Sequence, residues 1–306
     1  MVRRLVVVTL ALGLAGGCNA IAWKRGQHET TFRRAGMVQH TARLGDARVR
    51  YWVGGADGPP VLLIHGFGAS AIWQWFGQIE ALAARHRVIV PDLLWFGDSA
   101  SIKREVTIDD QVAMLVALLD KLDVPSVAAA GISYGGFVAY ELAAAHPTRV
   151  RRLAILDSPA RAYRREDYTA LCQRFGVDHI GKVLVPSDED GVARLMALAK
   201  YDPDWAPGWA KRQALEQLYG AHRGEQLALL NAMLADADDL QARRTRPTAP
   251  VLLIWGREDP VFPLGLAQRL QEQLGHGTRL EVIPEARHAP NLEYPALVSD
   301  LLVGFF

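Results

Sequence analysis

The chain is poor in cysteine and carries almost no net charge. Two cysteines among 306 residues are too few for a disulfide framework or a four-cysteine zinc site. Lys and Arg number 34 and Asp and Glu number 33, so the formal charge of +1 gives no strong field to attract nucleic acid. Half of the residues are hydrophobic and 22% are charged, which excludes a largely disordered, collagen-like or coiled-coil chain. The composition is that of a globular protein with a sizeable core.

The sequence also lacks the motifs of common metal and nucleotide enzymes. It contains no H-E-x-x-H pair, no Walker motif and no glycine-rich dinucleotide fingerprint. No basic stripe with interleaved aromatic residues indicates a nucleic-acid surface. We therefore expect no cofactor and no metal ion, and we expect a small molecule rather than a nucleic acid as the partner.

An apolar run lies near the start of the chain. Two arginines precede apolar residues 5–14, a stretch shorter than the ~20 residues that cross a bilayer, and small residues then lead to Cys18. This order is typical of a secretory signal peptide, and the small residues before the cysteine resemble a bacterial lipoprotein cleavage site. We predict a signal peptide at 1–17, lipidation of Cys18, and a tether at 18–36, where no strong core pattern is visible.

The predicted location follows from the same segment. We expect a lipoprotein anchored to a membrane of the bacterial cell envelope, on the periplasmic side. Ordinary cleavage would instead give a secreted or periplasmic protein, and an uncleaved segment would remain as an anchor. A cytoplasmic protein is a further alternative.

Strand-like and helix-like segments alternate along most of the chain. Residues 47–53 alternate like a half-buried strand, and short apolar runs typical of buried strands occur at 61–64, 87–90, 127–130, 153–156, 251–255 and 280–283. Helical patterns lie between them, at 109–122, 134–145 and 264–274. Such alternation predicts an α/β fold, with a mostly parallel central sheet and helices on both faces.

The alternation stops in the middle of the chain. Residues 159–246 contain no convincing strand, and their helical segments fall at 192–200, 209–219 and 224–234. We therefore predict a core formed by 37–158 and 247–306, with a helical insertion between the two parts.

One predicted strand is followed by a turn typical of a nucleophile. Ser133 lies in G-I-S-Y-G-G, a G-x-S-x-G motif between the strand at 127–130 and the helix at 134–145. The glycines allow a turn so sharp that the serine is held in a strained conformation at the edge of the sheet. The motif in this context predicts that Ser133 is a catalytic nucleophile.

A serine hydroxyl needs a base, and the base needs an acid partner. Among nine histidines, His288 is the best base because it follows the last predicted strand. Asp259 follows the strand at 251–255, while Glu258 and Asp157 are alternative acids. Because parallel strands end at one edge of the sheet, Ser133, His288 and Asp259 can converge.

Acyl transfer also needs two N–H groups that stabilise an oxyanion. The glycine-rich turn H-G-F-G follows the strand at 61–64, so the amides of Phe67 and Tyr134 are the expected donors. Aromatic residues cluster around these motifs. Of these, Trp95 and Phe96 lie on a predicted sheet-edge loop, and we expect them to line the substrate pocket.

The ordered motifs resemble those of the α/β-hydrolase superfamily. The resemblance rests on the elbow at Ser133, the turn H-G-F-G, the order Ser, Asp, His, and the segments at 91–99, 255–263 and 288–295. It implies that the insertion is a helical cap. Since the nucleophile is serine rather than aspartate, the sequence argues against the dehalogenase and epoxide-hydrolase branches.

The expected activity is hydrolysis of carboxylic esters through an acyl-enzyme, with apolar or lipid-derived substrates. Two alternatives remain open at this point. The same three residues could cleave a carbon–carbon bond or catalyse perhydrolysis, or the fold could serve as a non-catalytic ligand receptor.

We expect Cys18→Ser to release the protein from membranes and to leave catalysis in detergent extracts intact. The reason is that several acyl chains anchor a protein firmly, whereas the predicted catalytic groups lie elsewhere in the chain. Cell fractionation measures the release, and mass spectrometry of the mature N-terminus identifies the modification. An unmodified Met1 or cleavage beyond Cys18 would contradict lipidation.

Overall fold

A computed structural model describes residues 19–68, 70–199 and 207–306, which form one nine-stranded sheet and the helices around it. The strands are β1 (Met37–Leu44), β2 (Ala47–Gly55), β3 (Val61–Ile64), β4 (Arg87–Pro91), β5 (Ala100–Ser101), β6 (Val127–Ile132), β7 (Val150–Leu156), β8 (Val251–Gly256) and β9 (Thr278–Ile283). The spatial order is β1-β2-β4-β3-β6-β7-β8-β9, with β5 paired to β2. The predicted signal peptide and Cys18 lie outside the described residues.

Most of the sheet is parallel. The pairs from β4 through β3, β6, β7 and β8 to β9 are parallel, whereas β2 is antiparallel to β1, β4 and β5. Every residue of β3, β6 and β8 is buried, as expected for strands covered on both faces. The predicted fold class is therefore confirmed.

Two layers of helix cover the sheet. Leu62 and Ile64 of β3 belong to the hydrophobic cluster that includes α4 (Ile108–Lys121), α5 (Tyr134–Ala145) and α12 (Leu264–Leu274). The side chains of Val61 and Leu63 point to the opposite face. They join the cluster that includes α1 (Ala20–Arg34), α2 (Ala71–Trp75), α3 (Ile79–Ala83) and α14 (Pro295–Phe305). Successive side chains of β3 thus point to opposite faces of the sheet and contribute to both hydrophobic clusters.

Only helices occur between β7 and β8 in the described part of the chain. They are a 3₁₀ turn (Ala160–Ala162), α6 (Arg165–Phe175), α7 (Gly181–Leu184), α8 (Glu189–Ala199), α9 (Gly208–Ala214) with a π turn (Leu215–Tyr219), α10 (Arg223–Ala235) and α11 (Ala237–Ala242). We call this segment the cap. A last short helix, α13 (Pro290–Glu293), precedes α14.

A buried ion pair joins both ends of the cap to the core. Arg161, at the start of the cap, donates from Nε and Nη2 to the two carboxylate oxygens of Glu141 on α5, each at 2.6 Å. Its Nη1 donates to the carbonyl oxygens of Arg243 and Thr245, where the chain returns to the sheet. One guanidinium therefore fixes where the insertion leaves the core and where it rejoins it.

The segment predicted as a tether is mostly the helix α1. Asn19 accepts a hydrogen bond from the Ala22 N–H at 2.8 Å and so caps the helix, and Phe32 is completely buried beside Trp52. His28 stacks on Phe76, and burial lowers the pKa of His28 to about 4. The tether prediction therefore does not hold for this helix, because its few apolar residues find a place in the core. Among the described residues, no helix is both long and apolar enough to cross a membrane.

We expect Phe32→Ala to lower the free energy of unfolding by about 3–5 kcal/mol, since it removes a completely buried ring. Trp23→Ala on the same helix is the matched control. Its side chain is 66% exposed, so the change should stay within about 0.5 kcal/mol. Urea denaturation measures both values, and equal stability of Phe32→Ala and wild type would mean that the helix is not part of the folded core.

Candidate active site

Ser133 sits in a strained turn between β6 and α5. Its backbone has φ 53° and ψ −122°, a conformation that residues with a side chain rarely adopt. A Cβ at Gly131 would collide with the Gly135 carbonyl, and a Cβ at Gly135 would collide with the His65 carbonyl at the end of β3. The two glycines thus let the chain pack closely enough to hold the serine in this conformation.

The structure brings His288 and Asp259 to this serine. His288 Nε2 lies 2.9 Å from Ser133 Oγ, and His288 Nδ1 lies 2.9 Å from Asp259 Oδ2. The other Asp259 oxygen accepts hydrogen bonds from the N–H groups of Val261 at 2.7 Å and Phe262 at 3.1 Å. The backbone that follows β8 therefore fixes the carboxylate, and the carboxylate fixes the imidazole.

This chain of contacts can move a proton. An Nδ1–H donated to the carboxylate leaves Nε2 free to accept the proton of the serine hydroxyl, and the buried carboxylate then stabilises the imidazolium. The backbone N–H of His288 also donates a hydrogen bond to the backbone carbonyl of Leu198 on α8, at 3.2 Å. The histidine is thus held by the cap as well as by the sheet.

The two predicted oxyanion donors lie beside the serine. Tyr134 is the first residue of α5, where backbone N–H groups have no partner within the helix. Phe67 belongs to the turn after β3, and a Cβ at Gly66 in that turn would lie 3.3 Å from the Cβ of Ser133. The Phe67 and Tyr134 rings contact each other edge to face at 5.8 Å. The arrangement suits an oxyanion between the two amides, and that role stays a prediction.

Of the three candidate acids, Asp259 is the one that contacts the histidine. Glu258 is exposed. Asp157 is completely buried at the end of β7, and its Oδ1 accepts a hydrogen bond from the Gly256 N–H at 2.9 Å. Its other oxygen has no N–H donor among the described residues and faces the Asp259 carboxylate. Burial and the neighbouring Asp259 raise the pKa of Asp157 well above its usual range, which favours its neutral form.

A cavity opens at Ser133. Phe67 and Tyr134 line it from the core, and most of the other lining residues come from the cap. They include Tyr163, Leu171, Ile180, Leu230 and Met233. These residues carry no recognisable motif, so sequence reasoning did not find them. The sequence indicated this part of the pocket only through the resemblance, which implies a helical cap at the insertion.

Trp95 and Phe96, predicted to line this pocket, are buried outside it. The Phe96 ring packs edge to face against Phe67 at 5.0 Å. The Trp95 carbonyl accepts a hydrogen bond from Gln226 Nε2 on α10, at 2.9 Å. Both residues lie in the loop after β4, and they are buried because the cap covers this loop. The two aromatic residues therefore support the turn at Phe67 and the cap, rather than contacting the cavity.

Together the sheet, the cap and the serine elbow define a class of protein. Residues 59–295 match the family model of the alpha/beta hydrolase fold, and the chain belongs to that family of hydrolases. It is 31% identical over 243 residues to a pimeloyl-[acyl-carrier protein] methyl ester esterase of Chromobacterium violaceum, covering 78% of this chain and 90% of the relative.

Solved structures share the fold. A bacterial membrane phospholipase A matches with a TM-score of 0.73 and 24% identity, covering 100% of this chain and 98% of the other. The meta-cleavage product hydrolase CumD of Pseudomonas fluorescens matches with a TM-score of 0.73 and 24% identity, covering 87% and 97%. At this identity the likeness shows the fold alone.

We expect the stability of Asp157→Asn relative to wild type to rise with pH. The folded protein keeps a proton on Asp157 that the unfolded chain loses near pH 3.8, so wild-type stability falls as the pH rises from about 4 through the raised pKa. Asparagine cannot ionise and keeps a donor for Asp259. At a pH above the raised pKa, the free energy of unfolding of Asp157→Asn should exceed that of wild type by about 1.4 kcal/mol for each unit by which the Asp157 pKa differs between the folded and unfolded states.

Urea denaturation between pH 4 and pH 9 measures this difference, and the exposed Asp190→Asn is the matched control, for which no such trend is expected. Parallel stability curves for Asp157→Asn and wild type would contradict a protonated Asp157.

Proposed function

We propose that the protein cleaves carboxylic esters through an acyl-enzyme. The observation that carries the proposal is the continuous contact from Ser133 Oγ through His288 to Asp259, with both distances at 2.9 Å, at the wall of a cavity. In this scheme the serine oxygen attacks the ester carbonyl while His288 takes its proton. The amides of Phe67 and Tyr134 hold the negative oxygen of the tetrahedral intermediate.

The second half of the reaction uses the same groups. His288 returns its proton to the leaving alcohol, and the carbonyl carbon stays bound to Ser133. A water molecule then gives a proton to His288 and attacks the acyl carbon. Collapse of this intermediate releases the carboxylic acid and restores the serine hydroxyl.

The nature of the cavity supports an apolar ester. Its lining is mostly aliphatic and aromatic, so it suits a hydrocarbon chain better than a sugar or a charged group. The relative from Chromobacterium violaceum is named a methyl ester esterase, which agrees with cleavage of esters. The intact contacts between serine, histidine and aspartate argue against a protein that only binds ligands. No feature of the site favours carbon–carbon cleavage over ester cleavage.

We expect Ser133→Ala to lower kcat for nitrophenyl esters by about 10⁴ to 10⁶, since the nucleophile is lost. The wild type should also react with a fluorophosphonate at Ser133, detected by mass spectrometry. Ser299→Ala, a buried serine on α14, is the matched control and should keep its activity. An enzyme that retains a tenth of its activity without the Ser133 hydroxyl would refute the proposal.

The acid assignment is tested in the same assay. Asp259→Asn should lower kcat by about 10⁴, because the histidine loses the carboxylate that orients it. Asp157→Asn should cost far less, since the asparagine can still donate to Asp259 and has no contact with the histidine to lose. The opposite ranking would make Asp157 the acid.

A further inference from the structure

A second cavity lies next to the cavity at Ser133 and shares lining residues with it. It lies between α5 and the cap. The two cavities have four lining residues in common, Phe137, Tyr163, Met233 and Leu234. These four side chains line both cavities, so they form a partition between the second cavity and the first.

The partition has a rigid part and a movable part. The Phe137 and Tyr163 rings pack against each other at 6.1 Å and against Phe262 at 6.1 and 5.3 Å. Phe262 in turn contacts the His288 ring at 5.5 Å. Met233 lies on α10 and is only partly buried. Because methionine is unbranched and changes rotamer easily, Met233 is the member of the partition that can move aside.

The charged groups that line the second cavity are already paired with one another. Arg161 and Glu141 reach it, but they are bonded to each other and to backbone carbonyls. Gln241 Nε2 donates to the Tyr163 carbonyl. The other lining residues are apolar, namely Ile108, Ala160, Ala237 and Leu240. A hydrocarbon chain is the ligand that this lining suits, because it needs no hydrogen bond.

We infer that the acyl site continues past Met233 into the second cavity, and that the preferred substrates are esters of long, flexible fatty acids. The ester carbonyl lies at Ser133, and the end of the chain lies near Leu240. A rigid aromatic acid would fill only the first cavity. The inference rests on the proposed function in one respect, because it takes Ser133 as the acylated residue.

The substitution Met233→Trp places a larger side chain in the partition between the two cavities. The test compares kcat/KM for nitrophenyl laurate and nitrophenyl butyrate in this variant and in wild type. Each buried methylene strengthens binding about fourfold. If the tryptophan keeps two or more methylenes of the laurate chain out of the second cavity, the ratio of kcat/KM for laurate to kcat/KM for butyrate should fall by about tenfold or more. Met196→Trp is the matched control, a methionine on α8 that lines neither cavity. It should leave the ratio unchanged. An unchanged ratio in Met233→Trp would overturn the inference.

A second measurement does not depend on ester cleavage. In the Ser133→Ala background, calorimetry should show that Met233→Trp weakens binding of lauric acid much more than binding of butyric acid. If the wild type cleaves no ester but this binding difference is found, the second cavity holds an acyl chain and the proposed function fails. If esters are cleaved and neither measurement depends on Met233, the proposed function holds and the inference fails.

Discussion

The site depends on the close approach of two neighbouring strand ends. The turns after β3 and β6 meet where Gly135 lies against the His65 carbonyl, with no room for a side chain. This packing holds Ser133 at positive φ and sets it beside the turn that carries Phe67. The strain is tolerated because β3 and β6 are completely buried and fixed by parallel pairing. Loosening this contact would misplace Ser133 and the turn that carries Phe67 together.

The cap completes the site that the sheet begins. The ion pair between Arg161 and Glu141 fixes where the cap meets the core, and the carbonyl of Leu198 holds the backbone of His288. Three other cap residues, Tyr163, Met233 and Leu234, line the cavity and, together with Phe137 of α5, lie between it and the second one. Chemistry and substrate selection are thus divided, since the sheet edge supplies the reacting groups and the cap supplies the walls.

Two carboxyl groups at neighbouring strand ends have different surroundings. The Asp259 carboxyl group accepts hydrogen bonds from two backbone N–H groups and contacts the histidine. Asp157 has one N–H donor and complete burial, which favours its neutral form. In its neutral form Asp157 does not repel the neighbouring Asp259 carboxylate.

The sequence by itself determined the parallel sheet and the meeting of Ser133, His288 and Asp259. Buried strands leave continuous apolar runs, and the ends of parallel strands share one edge, so local patterns fixed a long-range result. Only the tertiary structure decided that α1 packs on the core, that Trp95 and Phe96 lie behind the pocket, and that cap residues line it. These contacts join segments far apart in the chain, and packing between such segments leaves no periodic signal in the sequence.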